Sequence, residues 1–170
     1  MSDVRRLVVV RHARAATHAE SDHSRPLTAG GRRDALQAGR FLASAGIRPD
    51  HALVSDALRA QQTWELVSEG CGLAGALELS HEVYEGSADS VLDQVRAVDS
   101  DVACLVLVGH NPTVAHLVTA LDDREGDPEA AAVVAGGFAP GGVAVLEVAS
   151  AWTEVGPGTA RLVRAFVPHS

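Results

Sequence analysis

The sequence predicts an α/β protein with three layers, in which helices cover both faces of a mostly parallel central sheet. Unbroken apolar runs such as residues 7–10 are typical of strands buried on both faces. These runs alternate with amphipathic helical segments through most of the chain. The length of 170 residues fits one domain, residues 1–170, and with 46% apolar but only 4% aromatic residues its core must be built largely from Ala, Val and Leu.

The first strand is expected at residues 7–10, which are rich in β-branched side chains. Residues 13–26 are polar and predict a loop. Thr28 can cap a helix that ends at Gly46. The apolar stripe of this helix comprises Ala35, Ala38, Leu42 and Ala45.

A second, short strand is expected at residues 52–54, followed by Ser55 and Asp56. Either of these two residues could cap the next helix through its side-chain oxygen. The residues that this helix should bury are Ala57, Ala60, Trp64 and Val67.

The middle of the chain predicts helix, strand and helix in that order. Ser87 begins the first helix, whose apolar face is formed by Val91, Leu92, Val95 and Val98. Residues 102–108 form a continuous apolar run and predict a buried strand. A helix should follow Pro112, because proline is favoured in the first turn. Its apolar face comprises Val114, Leu117, Val118 and Leu121.

The last third of the chain is expected to be less regular. Residues 122–142 are acidic, then Ala-rich, then Gly-rich, and predict an irregular connection. Residues 143–148 and 162–167 predict two closing strands, which could form a hairpin.

The charge of the chain disfavours polyanionic partners. It carries 14 basic residues, all of them Arg, against 22 acidic residues, for a formal net charge of −8. Such a field repels nucleic acids and anionic membranes, so neither is an expected partner. The absence of Lys from the sequence excludes a lysine-based mechanism, and phosphate binding would require a local cluster of Arg side chains.

Cysteine usage and hydropathy indicate a cytoplasmic protein. Cys71 and Cys104 are far apart in apolar surroundings, which favours two reduced, buried thiols. No apolar stretch of the sequence approaches the length of a membrane span, and the run at residues 7–10 is too short for a signal peptide.

Polar residues gather where three predicted elements meet one edge of the sheet. Arg11 and His12 follow the first strand, Arg59 lies in the first turn of the helix after the second strand, and His110 and Asn111 follow the strand at residues 102–108. Ligands of open α/β sheets bind beyond the carboxyl ends of the strands. Two histidines and two arginines at this edge predict a site for a tetrahedral dianion, which Asn111 is expected to help bind.

A metal site is the main alternative for a pair of histidines. The sequence has no HExxH motif, no paired Asp cluster and no carboxylate adjacent to His12 or His110. Arg11 and Arg59 would also repel a cation, so we expect neither a metal nor another cofactor at this edge.

The nucleophile must then come from His, Ser, Thr or a carboxylate. His12 is the best placed of these groups, and we expect the neighbouring arginines to keep its imidazole neutral. Its second ring nitrogen needs a hydrogen-bond acceptor, such as a backbone carbonyl, to fix the tautomer.

Four sequence blocks resemble the histidine phosphatase superfamily, also called the phosphoglycerate mutase-like family. They are LVVVRHARA at residues 7–15, SRPLTAGG at 24–31, VSDALRAQQT at 54–63 and LVLVGHNPTV at 105–114. Their order and their strand and helix context match the family, and together they extend over about two thirds of the chain. The resemblance implies a phosphoglycerate mutase-like fold and a cofactor-independent phosphatase.

The resemblance also implies roles for individual residues. His12 would be the phosphorylated nucleophile, Arg11 and Arg59 would bind the phosphoryl oxygens, and His110 would donate to the same group. The block SRPLT makes Arg25 a further phosphate ligand, as in the SixA-like branch, which removes phosphate from protein phosphohistidine. The match to that branch is closest because the chain is short and has no insertion large enough for a lid domain.

Two positions are less clear from the sequence. Ala13 stands where most of the superfamily has Gly, although members of the SixA-like group often carry this Ala. The general acid of the family is a carboxylate from the middle of the chain, and YEGS at residues 84–87 nominates Glu85, with Glu82 as the alternative. Either glutamate could instead flank the helix at Ser87 without a catalytic role.

Three functions are compatible with these residues. The first is a phosphohistidine phosphatase that acts on a phosphorylated protein, and the second is a phosphomonoesterase for a small sugar phosphate or nucleotide. The third is a regulatory module that binds phosphate without turnover. A monomer is expected in each case. The histidines outside the four blocks are expected to be surface or loop residues: His18, His23, His51, His81, His116 and His169.

Overall fold

The computed structural model describes residues 4–72 and 75–169. The strands are β1 (Arg5–Arg11), β2 (His51–Ser55), β3 (Ala76–Ser80), β4 (Cys104–Gly109), β5 (Val143–Val148) and β6 (Ala160–Phe166). The helices are α1 (Ala29–Ser44), α2 (Leu58–Cys71), α3 (His81–Glu85), α4 (Ala88–Arg96), α5 (Thr113–Leu121) and α6 (Pro128–Ala135), and a 3₁₀ turn spans Trp152–Glu154.

The six strands form one mixed sheet in the order β3-β2-β4-β1-β5-β6. The four strands β3, β2, β4 and β1 are parallel, and β5 runs antiparallel to both β1 and β6. The mostly parallel sheet and the closing hairpin are both confirmed. Because β4 lies between β1 and β2, the carboxyl ends of these three strands are neighbours.

Helices cover both faces of the sheet, which confirms the three-layer prediction. On one face, α1 and α2 pack through residues such as Leu42 and Trp64 against Val8 and Val106. On the other face, α4, α5 and α6 pack against the opposite sides of the same strands, which include Leu105. The alternation of side chains along β1 and β4 divides their apolar residues between the two cores.

The predicted helix starts agree with the structure except at α2. Thr28 caps α1, and its Oγ1 accepts a hydrogen bond from the Gly31 amide at 2.9 Å. The α2 helix has no side-chain cap, so the expectation that Ser55 or Asp56 would supply one is wrong. Ser55 Oγ accepts from the amide of Ala57, which precedes the helix, at 3.2 Å, and the Asp56 carboxylate is bound to histidines.

Besides the 3₁₀ turn, the described residues contain one strand and two helices that the sequence did not predict. The edge strand β3 exposes four of its five residues, so it lacks a continuous apolar run. The helix α3 is only five residues long, too short for a periodic pattern. The prediction of an irregular connection over residues 122–142 is wrong for Pro128–Ala135, where α6 buries Ala130 and Val134 and is capped by Asp127.

The described part of the chain has no lid domain over the carboxyl edge of the sheet. None of its helices is long and apolar enough to cross a membrane. Cys71 and Cys104 are both free thiols.

Candidate active site

A cavity of about 1060 Å³ opens at the carboxyl ends of β1, β2 and β4. It brings together all of the site residues that the sequence predicted. The residues that line it are Arg11, His12, Arg14, Ala15, Asp22, Arg25, Thr28, Arg59, Tyr84, Glu85, His110, Asn111 and Pro140.

His12 is held by the backbone directly after β1. Its amide donates to the Gly109 carbonyl at 3.0 Å, which ties it to the end of β4. Its ring atom Nδ1 lies 2.8 Å from the carbonyl oxygen of Ala13. Because a carbonyl only accepts, Nδ1 carries the proton and Nε2 keeps its lone pair. The expectation of a backbone acceptor for the second ring nitrogen is confirmed.

The His12 imidazole is neutral near pH 7. Its pKa is lowered to about 4, chiefly by burial and in addition by the charges of Arg59, Arg11 and Arg25, while the hydrogen bond to Ala13 acts in the opposite direction. From the sequence, the neighbouring arginines were expected to keep the ring neutral, whereas desolvation lowers the pKa more than their charges do.

His110 lies beside His12, with the two ring centroids 4.9 Å apart. Its Nδ1 is 3.4 Å from Nη2 of Arg59 and its Nε2 is 2.7 Å from Oγ of Ser55. A guanidinium only donates, so Nδ1 accepts and the ring proton lies on Nε2, directed at Ser55. Burial and then the charges of His12 and Arg59 lower the pKa of His110 to about 3.

The predicted arginines reach the cavity from three different segments. Arg59 is 5% exposed, and its Thr63 neighbour one turn later accepts from the Ala13 amide at 3.0 Å, which joins α2 to the loop after His12. Arg11 donates through Nη1 to the carbonyl of Phe138 at 2.8 Å. Arg25 donates to the carbonyl of Ala16 at 3.0 Å.

Asn111 contacts the same stretch of backbone as Arg11. Its Nδ2 donates to the Phe138 carbonyl at 3.0 Å, and its Oδ1 is buried without a hydrogen-bond partner among the described residues. One carbonyl therefore fixes the side chain of the last residue of β1 and that of a residue just after β4.

Asp22 is a cavity residue that the sequence did not identify. Its carboxylate accepts from Arg59 Nη2 at 3.1 Å, from the hydroxyl of Tyr84 at 2.7 Å, and forms an ion pair with Arg25 Nη2 at 3.0 Å. The hydrogen bond from Tyr84, followed by those from the arginines, lowers the pKa of Asp22 to about 2. The Asp22 carboxylate thus binds the same guanidinium groups that a phosphate would need. The spacing of three residues between Asp22 and Arg25 was the sequence signal that could have identified this ion pair.

The loop after β1 is compatible with Ala at position 13. Ala13 is fully buried and is not among the residues with positive φ, so its Cβ carries no left-handed penalty. Arg14 forms an ion pair with Asp34 through Nε at 2.8 Å. The loop packs closely on α1, and a Cβ added at Gly31 would collide with the carbonyl oxygen of Arg14.

The two glutamates nominated as general acid occupy different positions. Glu85 lines the cavity, although 68% of its side chain is exposed. Glu82 is exposed and is not among the cavity residues. Of the two glutamates, only Glu85 therefore lies on the wall of the cavity that holds His12 and His110.

The hydrogen-bond partners of His12 and His110 among the described residues include no carboxylate. A separate group of His23, Asp56 and His81 has one ligand atom from each residue within 4.8 Å of the others. His23 and His81 were expected to be surface or loop residues, and their side chains are 43% and 62% exposed. Each makes a hydrogen bond of 2.9 Å to Asp56.

Comparisons with known proteins agree on one family. Residues 7–89 match the model of the histidine phosphatase superfamily (branch 1). An uncharacterized protein of Mycobacterium tuberculosis is 34% identical over 162 residues, which cover 94% of this chain and all of that protein. The phosphohistidine phosphatase SixA of Escherichia coli is 32% identical over 122 residues, which cover 71% of this chain and 76% of SixA.

Solved structures give the same result. A putative phosphohistidine phosphatase SixA from Nakamurella multipartitia superposes with a TM-score of 0.85 at 32% identity, covering 98% of each chain. A protein histidine phosphatase SixA complexed with tungstate superposes with a TM-score of 0.78 at 26% identity, covering 96% of this chain and 97% of the other. The chain therefore belongs to the SixA-like branch of the histidine phosphatase superfamily and is a phosphatase with the phosphoglycerate mutase-like fold.

Proposed function

We propose that this phosphatase removes phosphate from phosphohistidine on proteins, through a covalent phosphoenzyme at His12. The observation that carries the proposal is the state of His12, a neutral imidazole whose Nδ1 is bound to the Ala13 carbonyl and whose Nε2 lone pair has no partner among residues 4–72 and 75–169. Four arginines line the same cavity, and three of them are the predicted phosphate ligands: Arg11, Arg25 and Arg59.

Two further observations support this substrate. The described part of the chain places no lid over the cavity, so a phosphorylated side chain on a folded protein can approach. The relative from Escherichia coli is named as a phosphohistidine phosphatase, and a similar SixA structure holds tungstate, a tetrahedral oxyanion like phosphate.

In the first step, Nε2 of His12 attacks phosphorus while the bond from phosphorus to the substrate imidazole breaks. The leaving imidazole keeps the electron pair of that bond. When its other nitrogen carries a proton, it departs neutral and needs no acid. Arg11, Arg25 and Arg59 stabilise the charge on the phosphoryl oxygens, after Asp22 gives up its bonds to the last two.

In the second step, water attacks the phosphoenzyme and the bond between phosphorus and Nε2 breaks. Both protons of the water remain on the phosphate product, and His12 returns to its neutral form with the proton on Nδ1. The hydrogen bond from Nδ1 to the Ala13 carbonyl holds the ring in one tautomer through both steps.

A second candidate is a small-molecule phosphomonoesterase, which the position of Glu85 favours. An alkoxide is a far poorer leaving group than an imidazole, so hydrolysis of a sugar phosphate or nucleotide needs a proton donor. Glu85 is a carboxyl group on the cavity wall that could donate that proton.

One experiment tests both functions and the non-catalytic alternative. A phosphohistidine-bearing protein, a phosphotyrosine analogue and a sugar phosphate are offered to wild type, His12→Ala and Glu85→Gln. We expect rapid loss of phosphohistidine, an acid-labile phosphoenzyme that is absent in His12→Ala, and near-normal rates for Glu85→Gln. Faster hydrolysis of the sugar phosphate together with strong dependence on Glu85 would instead establish the phosphomonoesterase.

A further inference from the structure

Outside the phosphate cavity, two histidines converge on one carboxylate. Nε2 of His23 lies 2.9 Å from Oδ1 of Asp56, and Nδ1 of His81 lies 2.9 Å from Oδ2 of the same residue. The three residues come from three segments: the loop after β1, the junction of β2 and α2, and the first residue of α3.

Backbone contacts hold these three segments together. The amide of Leu58 donates to the His23 carbonyl at 3.0 Å, and the amide of Asp56 donates to the Ser80 carbonyl at 3.2 Å. The His23 ring packs edge-on against Tyr84, with the centroids 4.9 Å apart. The three donors are therefore set in place by the fold, without the need for a ligand to gather them.

The spacing of the donor atoms fits a transition metal. One ligand atom from each residue lies within 4.8 Å of the others. Bonds of about 2.0–2.2 Å in a tetrahedral site separate the donors by roughly 3.4 Å, so modest side-chain rotations would complete the geometry. Two imidazoles and a carboxylate favour Zn²⁺, Co²⁺ or Ni²⁺ over Mg²⁺, which prefers oxygen ligands.

The surroundings of His81 match those of a metal ligand. Its second nitrogen, Nε2, lies 3.4 Å from Oε2 of Glu85. If Nδ1 binds the metal, Nε2 must carry the proton and would donate it to that carboxylate, which is the usual arrangement around ligating histidines. The side chains of His23 and His81 are 43% and 62% exposed, so a cation can reach the group from solvent.

We propose that His23, Asp56 and His81 form a binding site for a divalent transition-metal ion at the rim of the phosphate cavity. Glu85 orients His81 through its Nε2 proton, and a water or an anion occupies the fourth position. The site is distinct from the reacting pair, because neither His12 nor His110 is one of its ligands. The proposal goes beyond the proposed function and does not depend on which substrate the enzyme uses.

Because Glu85 also lines the cavity, the metal site and the phosphate site share one residue. A bound cation would fix the Glu85 carboxylate against His81. It would also add positive charge to the cavity rim near Asp22, which precedes His23 and accepts a hydrogen bond from Tyr84.

The test is titration of the full chain with Co²⁺, followed by visible d–d absorption and displacement with Zn²⁺. We expect one tetrahedral Co²⁺ per chain, displaced by Zn²⁺ and not by excess Mg²⁺. His23→Ala, His81→Ala and Asp56→Asn should each weaken binding about 100-fold or more, since each removes a ligand, and Glu85→Gln should weaken it about tenfold.

Two controls make the result specific to this site. His51→Ala alters a partly buried histidine outside the group, which pairs with the carboxylate of Glu78 at 3.2 Å, and should leave Co²⁺ binding unchanged. His12→Ala should also leave it unchanged while abolishing the phosphoenzyme. Absence of the d–d absorption in the wild type, its persistence in His81→Ala, or its loss in His51→Ala or His12→Ala would each overturn the proposal.

Discussion

Two pairs of histidines lie at the same edge of the sheet and differ in what surrounds them. The inner pair, His12 and His110, has ring centroids 4.9 Å apart, lies among arginines and makes no hydrogen bond to a carboxylate within the described chain. The outer pair, His23 and His81, has centroids 6.4 Å apart, is open to solvent and shares the carboxylate of Asp56.

The surroundings move the pKa values in opposite directions. Burial lowers the pKa of His12 to about 4 and that of His110 to about 3. The hydrogen bond to Asp56 raises the pKa of His81. The surroundings therefore favour the neutral form of the imidazole in the inner pair and the protonated form in His81.

The largest difference between the pairs should appear when one member of each is removed. His12→Ala should lower kcat by about 10³-fold or more, because no other group can take the phosphoryl. His23→Ala should leave turnover close to wild type in metal-free buffer. Assays with labelled phosphate measure the turnover of both variants. Labelled phosphoenzyme in His12→Ala would contradict the assignment of the nucleophile.

The next largest effect should come from Arg59, which contacts the inner pair through His110. Arg59→Ala should lower kcat/KM about 10²- to 10³-fold, since it removes a charge that stabilises the transition state. Arg59→Lys should recover part of this loss, because Lys keeps the charge but lacks the forked geometry. Steady-state kinetics of the two variants would show equal losses if the guanidinium only supported the fold.

Asp22 tests whether a carboxylate in the cavity competes with phosphate for the arginines beside the inner pair. Asp22→Asn removes the anion that competes for Arg25 and Arg59, so inorganic phosphate should inhibit the variant about tenfold more tightly. Tyr84→Phe is the matched control, because it removes a hydrogen bond to Asp22 and leaves the charge. Weaker inhibition of Asp22→Asn would show that Asp22 positions the arginines instead of competing for them.

The smallest expected effect is a difference between the pH values at which the inner histidines and His81 take up a proton. Because the pKa values of His12 and His110 are lowered from about 6.5, both rings should remain neutral as the pH falls from 7 to 5. His81, whose pKa is raised, should take up its proton above pH 6.5. Histidine ring signals followed by NMR would measure this, and protonation of His12 near pH 6.5 would remove the distinction between the pairs.

The buried strands and the catalytic blocks could be predicted because their signals are local. Residues 7–10 and 102–108 are apolar without interruption, and the polar residues that follow them lie at the edge where ligands bind. The edge strand β3 has no such run, because only Ser80 of its five residues is buried. Asp127 and Pro128 did signal the start of α6, but the Ala-rich and Gly-rich composition around them favoured an irregular segment.

The contacts between distant segments could not be predicted in the same way. Asp22 reaches Arg59 and Tyr84 only because the polar loop after β1 folds back over α2 and α3. The group of His23, Asp56 and His81 likewise depends on the path of that loop and on the short helix α3. Single residues in polar segments carry no periodicity, so their partners are decided by tertiary structure.

The carbonyl of Phe138 limits how the sequence around it can vary among related enzymes. It accepts hydrogen bonds from Arg11 and Asn111, while the Phe138 side chain is 5% exposed and anchors this stretch in the core. Because every residue has a carbonyl, the hydrogen bonds to Arg11 and Asn111 do not depend on which side chain stands at position 138, whereas Gly137 and Gly141 adopt positive φ and resist replacement. A residue gained or lost in residues 136–142 would shift the carbonyl itself, so the length of this segment is constrained together with its glycines.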